Sequence, residues 1–239
     1  MRVAFYAPLK PPDSPIPSGD RKMARQLIAC LRSNGYDVKL ISHLKSREPL
    51  GLRHKQIIIK NRSDKIIDRL INRYLETDVW RPDIWFTYHM FYKAPDWLGP
   101  AISKALKIPY VIAEASHAPK RNKGEWSFNQ EQVVLALKHA DVIIGLNSND
   151  ECCVKEVISS NCTYAFIKPF VGPDAPTSCG NKRGLFREEV CQKLSIPRNK
   201  VLLLAVGMMR EGAKFESYKM LGNCLLYTSD AADDLLCVD

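Results

Sequence analysis

Short apolar runs bounded by turn residues alternate with stretches whose apolar positions recur at helical spacing. Arg2-Val3-Ala4-Phe5-Tyr6 opens the chain as a strand. A proline-rich loop (Pro8, Pro11, Pro12, Pro15, Pro17) follows and closes at Ser18-Gly19-Asp20. From about Arg21 the residues Met23, Leu27, Ile28 and Leu31 share one face, which predicts a helix ending at Asn34-Gly35. Val38–Ile41 reads as a second strand. Ile84–Tyr88, Tyr110–Ala113 and Asp141–Gly145 are apolar on both faces, as parallel strands covered from either side must be. Helices are expected near Trp97–Leu106, Asn129–His139 and Asn149–Ser159.

This alternation predicts a doubly wound, Rossmann-like α/β domain over residues 1–167. Residues 168–182, with Pro169, Gly172, Pro173 and Pro176, read as a hinge. A new pattern then restarts with a helix over Arg183–Leu194, a turn at Ile196–Asn199 and a strand over Val201–Val206, followed by a glycine loop into a helix near Phe215–Gly222. It reads as the first βα unit of a second Rossmann-like domain over residues 183–223. From Cys224 the string CLLYTSDAADD is identical to one translated reading frame of a sequencing-library adapter. Residues 224–239 are therefore expected to be a non-native tail, and the natural sequence to continue past Asn223.

Composition narrows the picture further. The 239 residues are 46% hydrophobic and 26% charged, which excludes disorder and collagen-like repeats. No apolar run approaches the ~20 residues of a membrane helix. The N-terminal run breaks at Pro8 without a cleavage site, so a cytoplasmic address is expected. Eight cysteines show no Cys-x-x-Cys pair, and the expectation is reduced, mostly buried thiols and no metal site. The net charge is +9; without the tail, 22 acids face 35 bases, a net +13.

Three stretches are candidates for chemistry. Pro17-Ser18-Gly19-Asp20 joins the first strand to the first helix, where backbone N–H groups approached through a glycine favour a phosphate or a sugar hydroxyl. The competing reading is that Asp20 caps the helix and Gly19 makes the turn. His117, followed by Lys120 and Arg121, comes directly after the strand at Tyr110, and His89 comes directly after Ile84–Tyr88. Both histidines fall where open α/β sheets bind ligands. Gly207, Arg210 and Lys214 follow the expected strand at Val201 in a glycine loop whose cations suit a diphosphate.

The stretches Pro17–Leu31, Trp85–Pro100, Tyr110–Arg121 and Leu204–Tyr218 resemble a GT-B glycosyltransferase of the large retaining family 4. The resemblance implies two Rossmann-like domains facing a cleft, acceptor mainly on the first and nucleotide-sugar on the second. It implies transfer of a sugar from a nucleotide-diphosphate-sugar to an acceptor hydroxyl with retention, without a metal or other cofactor. His117 matches the active-site histidine, Gly19 the glycine of the first loop and Lys214 the diphosphate-binding lysine. Gly19, Gly207, Arg210 and Lys214 are thus expected around the donor diphosphate, and Ser18, His89, Lys120 and Arg121 on the acceptor or sugar side. The sequence departs from the family in three places. Ser18-Gly19 replaces a pair of glycines, Met208 replaces an arginine, and the acidic pair that holds donor ribose and sugar is absent from these residues. On that last ground this chain itself is expected to be inactive.

The expected partners are a nucleotide-sugar and a glycan or lipid-linked acceptor, with no nucleic acid. Over Arg62–Leu75, Ile67, Leu70, Ile71 and Tyr74 share one helical face, and Arg62, Lys65, Arg69 and Arg73 another. Such a helix can lie on anionic lipid at the inner face of the membrane, or pack its apolar side on the sheet. Two rival functions stand beside the transferase: a cofactor-binding Rossmann oxidoreductase, against which the missing Gly-x-Gly-x-x-Gly counts, and a basic nucleic-acid-binding protein, for which no binding motif speaks.

Overall fold

The structure is a computed structural model. It describes residues 1–170, 182–206 and 211–234, and only the backbone of 213, 214 and 228–234. The chain divides into two units, Met1–Ala175 and Pro176–Asp239.

The first unit is α/β, built on one all-parallel sheet of six strands in the order β2-β1-β3-β4-β5-β6. The strands are β1 (Arg2–Tyr6), β2 (Asp37–Ser42), β3 (Ile84–Met90), β4 (Tyr110–Ala115), β5 (Val142–Gly145) and β6 (Thr163–Phe166). The helices between them are α1 (Gly19–Ser33), α2 (Arg53–Leu75), α3 (Gly99–Leu106), α4 (Ser127–His139) and the short α5 (Glu151–Lys155). The Rossmann-like α/β reading of the sequence holds.

Two apolar layers flank the sheet. On one side Ala4, Tyr6, Trp85, Met90, Tyr110, Ile112 and Ile143 meet Leu70 and Tyr74 of α2, Ile102 of α3 and Val133 and Leu137 of α4. On the other side Val3, Phe5, Val38, Phe86 and Ala113 meet Ala24 and Leu27 of α1. Alternate residues of β1 and β3 thus face opposite layers, which is why these strands read as unbroken apolar runs. Leu70 and Tyr74 of α2 are buried in the first layer while Arg62, Lys65, Arg69 and Arg73 are exposed, so packing on the sheet is the reading that holds for Leu70 and Tyr74.

The Asp96 carboxylate is sealed inside. Asp96 is fully buried and accepts from the Thr87 and Tyr110 hydroxyls and from the amides of Leu98 and Gly99 at the start of α3. Burial pushes its pKa up, and the four donors work against that push. Gly99 is required here, because a Cβ would come within 2.6 Å of the Tyr110 ring.

The second unit corrects the expected strand. Its helix α6 (Arg183–Lys193) is where the sequence puts one, but Val201–Val206 forms no strand. Val201, Leu203, Leu204 and Val206 are 73–87% exposed. A parallel strand exists only against a hydrogen-bonding neighbour, and the described residues of this unit contain no other strand. The last helix, α7 (Ala213–Asp234), covers the helix expected near Phe215–Gly222 and extends past Cys224. The thiols are not mostly buried: Cys30, Cys152 and Cys224 are exposed and, among the described cysteines, Cys191 alone is buried.

Candidate functional site

Strand order reverses between β1 and β3, so the connections leaving their carboxyl ends diverge and open a crevice. From β1 the chain enters the proline loop and returns at α1. The N-cap of α1 is Ser18, in extended backbone, and no side chain hydrogen-bonds into the first turn. Asp20 is therefore not the cap that the sequence allows it to be. Nor does Gly19 make the turn, since it has no positive φ and a Cβ there would meet nothing within 4 Å. The helix opens on bare N–H groups at an exposed glycine.

Asp20 instead turns toward the strand ends. Its Oδ1 lies 3.1 Å from His89 Nδ1, and its Oδ2 accepts from Lys10 Nζ and, at 3.2 Å, from the Ser18 hydroxyl. His89 Nδ1 is also 3.8 Å from Glu114 Oε2. The His89 ring first, then Lys10, hold the Asp20 carboxyl well below the usual carboxylate range, against the opposing effect of burial. Tyr88 is buried beside Glu114. Desolvation, reinforced by that carboxylate, pushes its hydroxyl far above the usual tyrosine range, so it remains a neutral hydroxyl.

Two of these residues sit in left-handed backbone, His89 at φ 61° and Glu114 at φ 60°. Non-glycine residues rarely adopt it, and it concentrates where surrounding structure holds side chains for function. Here it occurs at corresponding places on neighbouring strands, at the ends of β3 and β4. The result is a cluster of two carboxylates, one imidazole, one ammonium and two hydroxyls around an uncapped helix start. It can donate to and accept from the hydroxyls of a polar ligand, with backbone N–H groups left for an anionic edge.

The residues expected from the sequence divide between places. Ser18, Gly19 and His89 come together here. His117 is half-buried after β4, but its Nδ1 pairs with the Cys153 carbonyl at 3.1 Å, and the ion pairs of the Asp20 cluster do not include it. Lys120 and Arg121 lie on the 3₁₀ turn Pro119–Arg121, with Lys120 exposed and Arg121 stacked on aromatic rings. Gly207 and Arg210 lie outside the described residues, as does the side chain of Lys214. The sequence offers Asp20 only as a helix cap and gives Lys10 and Glu114 no role. His89 and Glu114 lie far along the chain from Asp20, so only the fold could show the three together.

A recess of about 720 Å³ between α2, α3 and α4 is lined by Lys60, Ile67, Trp97, Leu135 and His139. It lies on the helical layer and not at the strand ends, and its Asp64 is spent on Lys60. Among the described residues no three His, Cys, Asp or Glu side chains are grouped so that they could hold a metal ion. No described helix is long and apolar enough to cross a membrane.

No protein-family model matches this chain, and no curated protein matches it significantly.

Proposed function

We propose that this chain contributes the acceptor-side domain of a retaining GT-B glycosyltransferase, which moves a sugar from a nucleotide-diphosphate-sugar to an acceptor hydroxyl. The observation that carries the reading is the crevice at the β1/β3 reversal. There an uncapped helix opens at a glycine the fold does not require, against the Asp20–His89–Glu114 cluster. Carboxylates, imidazole and hydroxyl in that density match a ligand that is mostly hydroxyl. They match a nicotinamide dinucleotide poorly, because the glycine-rich fingerprint is missing. Acidic side chains at the crevice also oppose a nucleic-acid backbone.

Sugar transfer would build negative charge on the departing diphosphate, and the cations Arg210 and Lys214 are the residues proposed to stabilise it. Residues 1–239 contain no acidic pair of the kind that holds the donor in that family, so this chain is expected to bind sugar ligands without turning them over. The test is saturation-transfer NMR of the purified chain with glycosides, nucleotide-sugars, nicotinamide dinucleotides and short oligonucleotides. The reading requires a sugar-bearing ligand to bind and Asp20→Ala or His89→Ala to weaken it at least about tenfold. Binding of dinucleotide or oligonucleotide with no sugar binding would overturn it.

A further inference from the structure

Immediately beyond the cluster, the turn Phe91–Ala94 presents Tyr92 and Lys93, and the loop before α4 presents Arg121 and Trp126. The rings of Tyr92 and Trp126 meet edge to face at 5.5 Å. The Arg121 guanidinium lies 5.1 Å from the Tyr92 ring and 4.8 Å from the Trp126 ring. The Lys93 ammonium lies 5.8 and 5.1 Å from the same two rings. Two cations therefore converge on one aromatic pair, and among the described residues neither has an ion-pair partner. The amide of Glu48 donates to the Lys93 carbonyl, but the Glu48 carboxylate is committed to the amides of Leu50 and Leu52. Glu125 is exposed and lies against Gly51.

Like charges held side by side repel, and ring faces offset this only in part. Three further features point the same way. Arg121 Nε is buried without a hydrogen-bond partner. Helix α4 has Trp126 as its N-cap, with no side-chain cap and no acidic residue in its first turn. In that first turn Asn129 is 1% exposed, and neither of its side-chain polar atoms has a partner. The platform is also continuous with the Asp20–His89–Glu114 cluster, since His89 contacts Phe91 at 5.4 Å and Phe91 contacts Tyr92 at 5.6 Å.

We propose that Arg121 and Lys93, stacked on Tyr92 and Trp126, form an anion subsite that holds a phosphate group of the acceptor while its sugar lies against the Asp20–His89–Glu114 cluster. The proposal rests on the glycosyltransferase reading for the word acceptor, but not for the anion. The phosphate comes from a soluble sugar phosphate or from a phospholipid headgroup. The same 47–52 loop that hydrogen-bonds Lys93 and Trp126 carries Leu50, 63% exposed, beside Arg47 and Lys55.

The experiment compares binding of a hexose, its 1-phosphate, inorganic phosphate and vesicles with or without anionic phospholipid to the whole chain and to its Arg121→Gln and Lys93→Met variants. The 1-phosphate is expected to bind about tenfold or more tightly than the hexose. Each variant should lose that preference while keeping its affinity for the uncharged hexose, and the preference should fall as salt is raised. Vesicle binding that depends on anionic lipid and on both residues would identify the headgroup as the source; preference for the soluble ester alone would identify the sugar phosphate. Equal affinity for hexose and hexose phosphate, with no phosphate or anionic vesicle bound, overturns the subsite even if sugars bind. A preference that survives both substitutions overturns it too. If phosphate binds through Arg121 and no sugar binds at all, the anion site stands and the transferase reading falls.

Discussion

Asp20 shows how one side chain is claimed by the site and not by the helix it begins. At the first turn of α1 a carboxylate could hydrogen-bond the free amides. It instead accepts from Lys10 and Ser18 and faces His89. Those partners depress its pKa, so folding is favoured by its ionised form. The sign is that of a lowered carboxyl: the contribution is complete above the unfolded value near pH ~4 and drains away as pH falls toward the folded value. Asp20→Asn should therefore lower stability by about 1 kcal/mol at neutral pH, with the gap to wild type closing in acid. Denaturation midpoints at several pH values check this, and a gap independent of pH would contradict it. His89 and Glu114 are held on unfavourable backbone at an expense of about 1–3 kcal/mol each. Nothing in a histidine or glutamate following an apolar run announces that. His89 could be singled out in the sequence because it follows a strand, whereas Glu114, equally placed, carries no such chemical prominence.

Among the elements, the strands easiest to read are those the fold buries on both faces, β1, β3, β4 and β5. Strand β6 is hard to read because Thr163–Phe166 is a four-residue edge strand, half-exposed, whose apolar run is too short to separate from a loop. Val201–Val206 misleads for the opposite reason: it has the composition of a buried strand, but strand formation is decided by a neighbour that local composition cannot reveal. Helix α2 presents the same ambiguity in another form, since its apolar stripe fits either a lipid surface or the sheet. The sheet takes it. Leu70→Ala, at 6% exposure, should cost about 2–5 kcal/mol, while Arg69→Ala on the outer stripe should stay within about 0.5 kcal/mol. Urea midpoints of the two variants decide the matter; similar losses from both would mean the basic stripe is buried in solution.

On the scale of the whole molecule, the two units differ in what they bury. The first encloses two apolar layers around a continuous parallel sheet. The second has many large apolar side chains exposed, from Leu185 and Leu194 to Leu225 and Tyr227. Segments with few buried contacts open easily, so dilute protease should cut first within residues 182–206 and leave a product that retains Met1–Ala175. Equal survival of both units, read by intact-mass analysis over time, would show a core in the second unit. The architecture of the first unit could be read from residues 1–167 because parallel βα repeats impose a pattern on every segment. The site could be read only in part, because Ser18, Gly19 and His89 mark strand ends while Lys10, Asp20 and Glu114 acquire meaning from each other. The most direct test of the account is amide chemical-shift mapping of the chain titrated with a sugar ligand selected by saturation transfer. The account predicts saturable shifts concentrated at Gly19, Asp20, His89 and Glu114, abolished by Asp20→Ala. Saturable shifts confined to the recess between α2, α3 and α4, with those four amides unmoved, would contradict it.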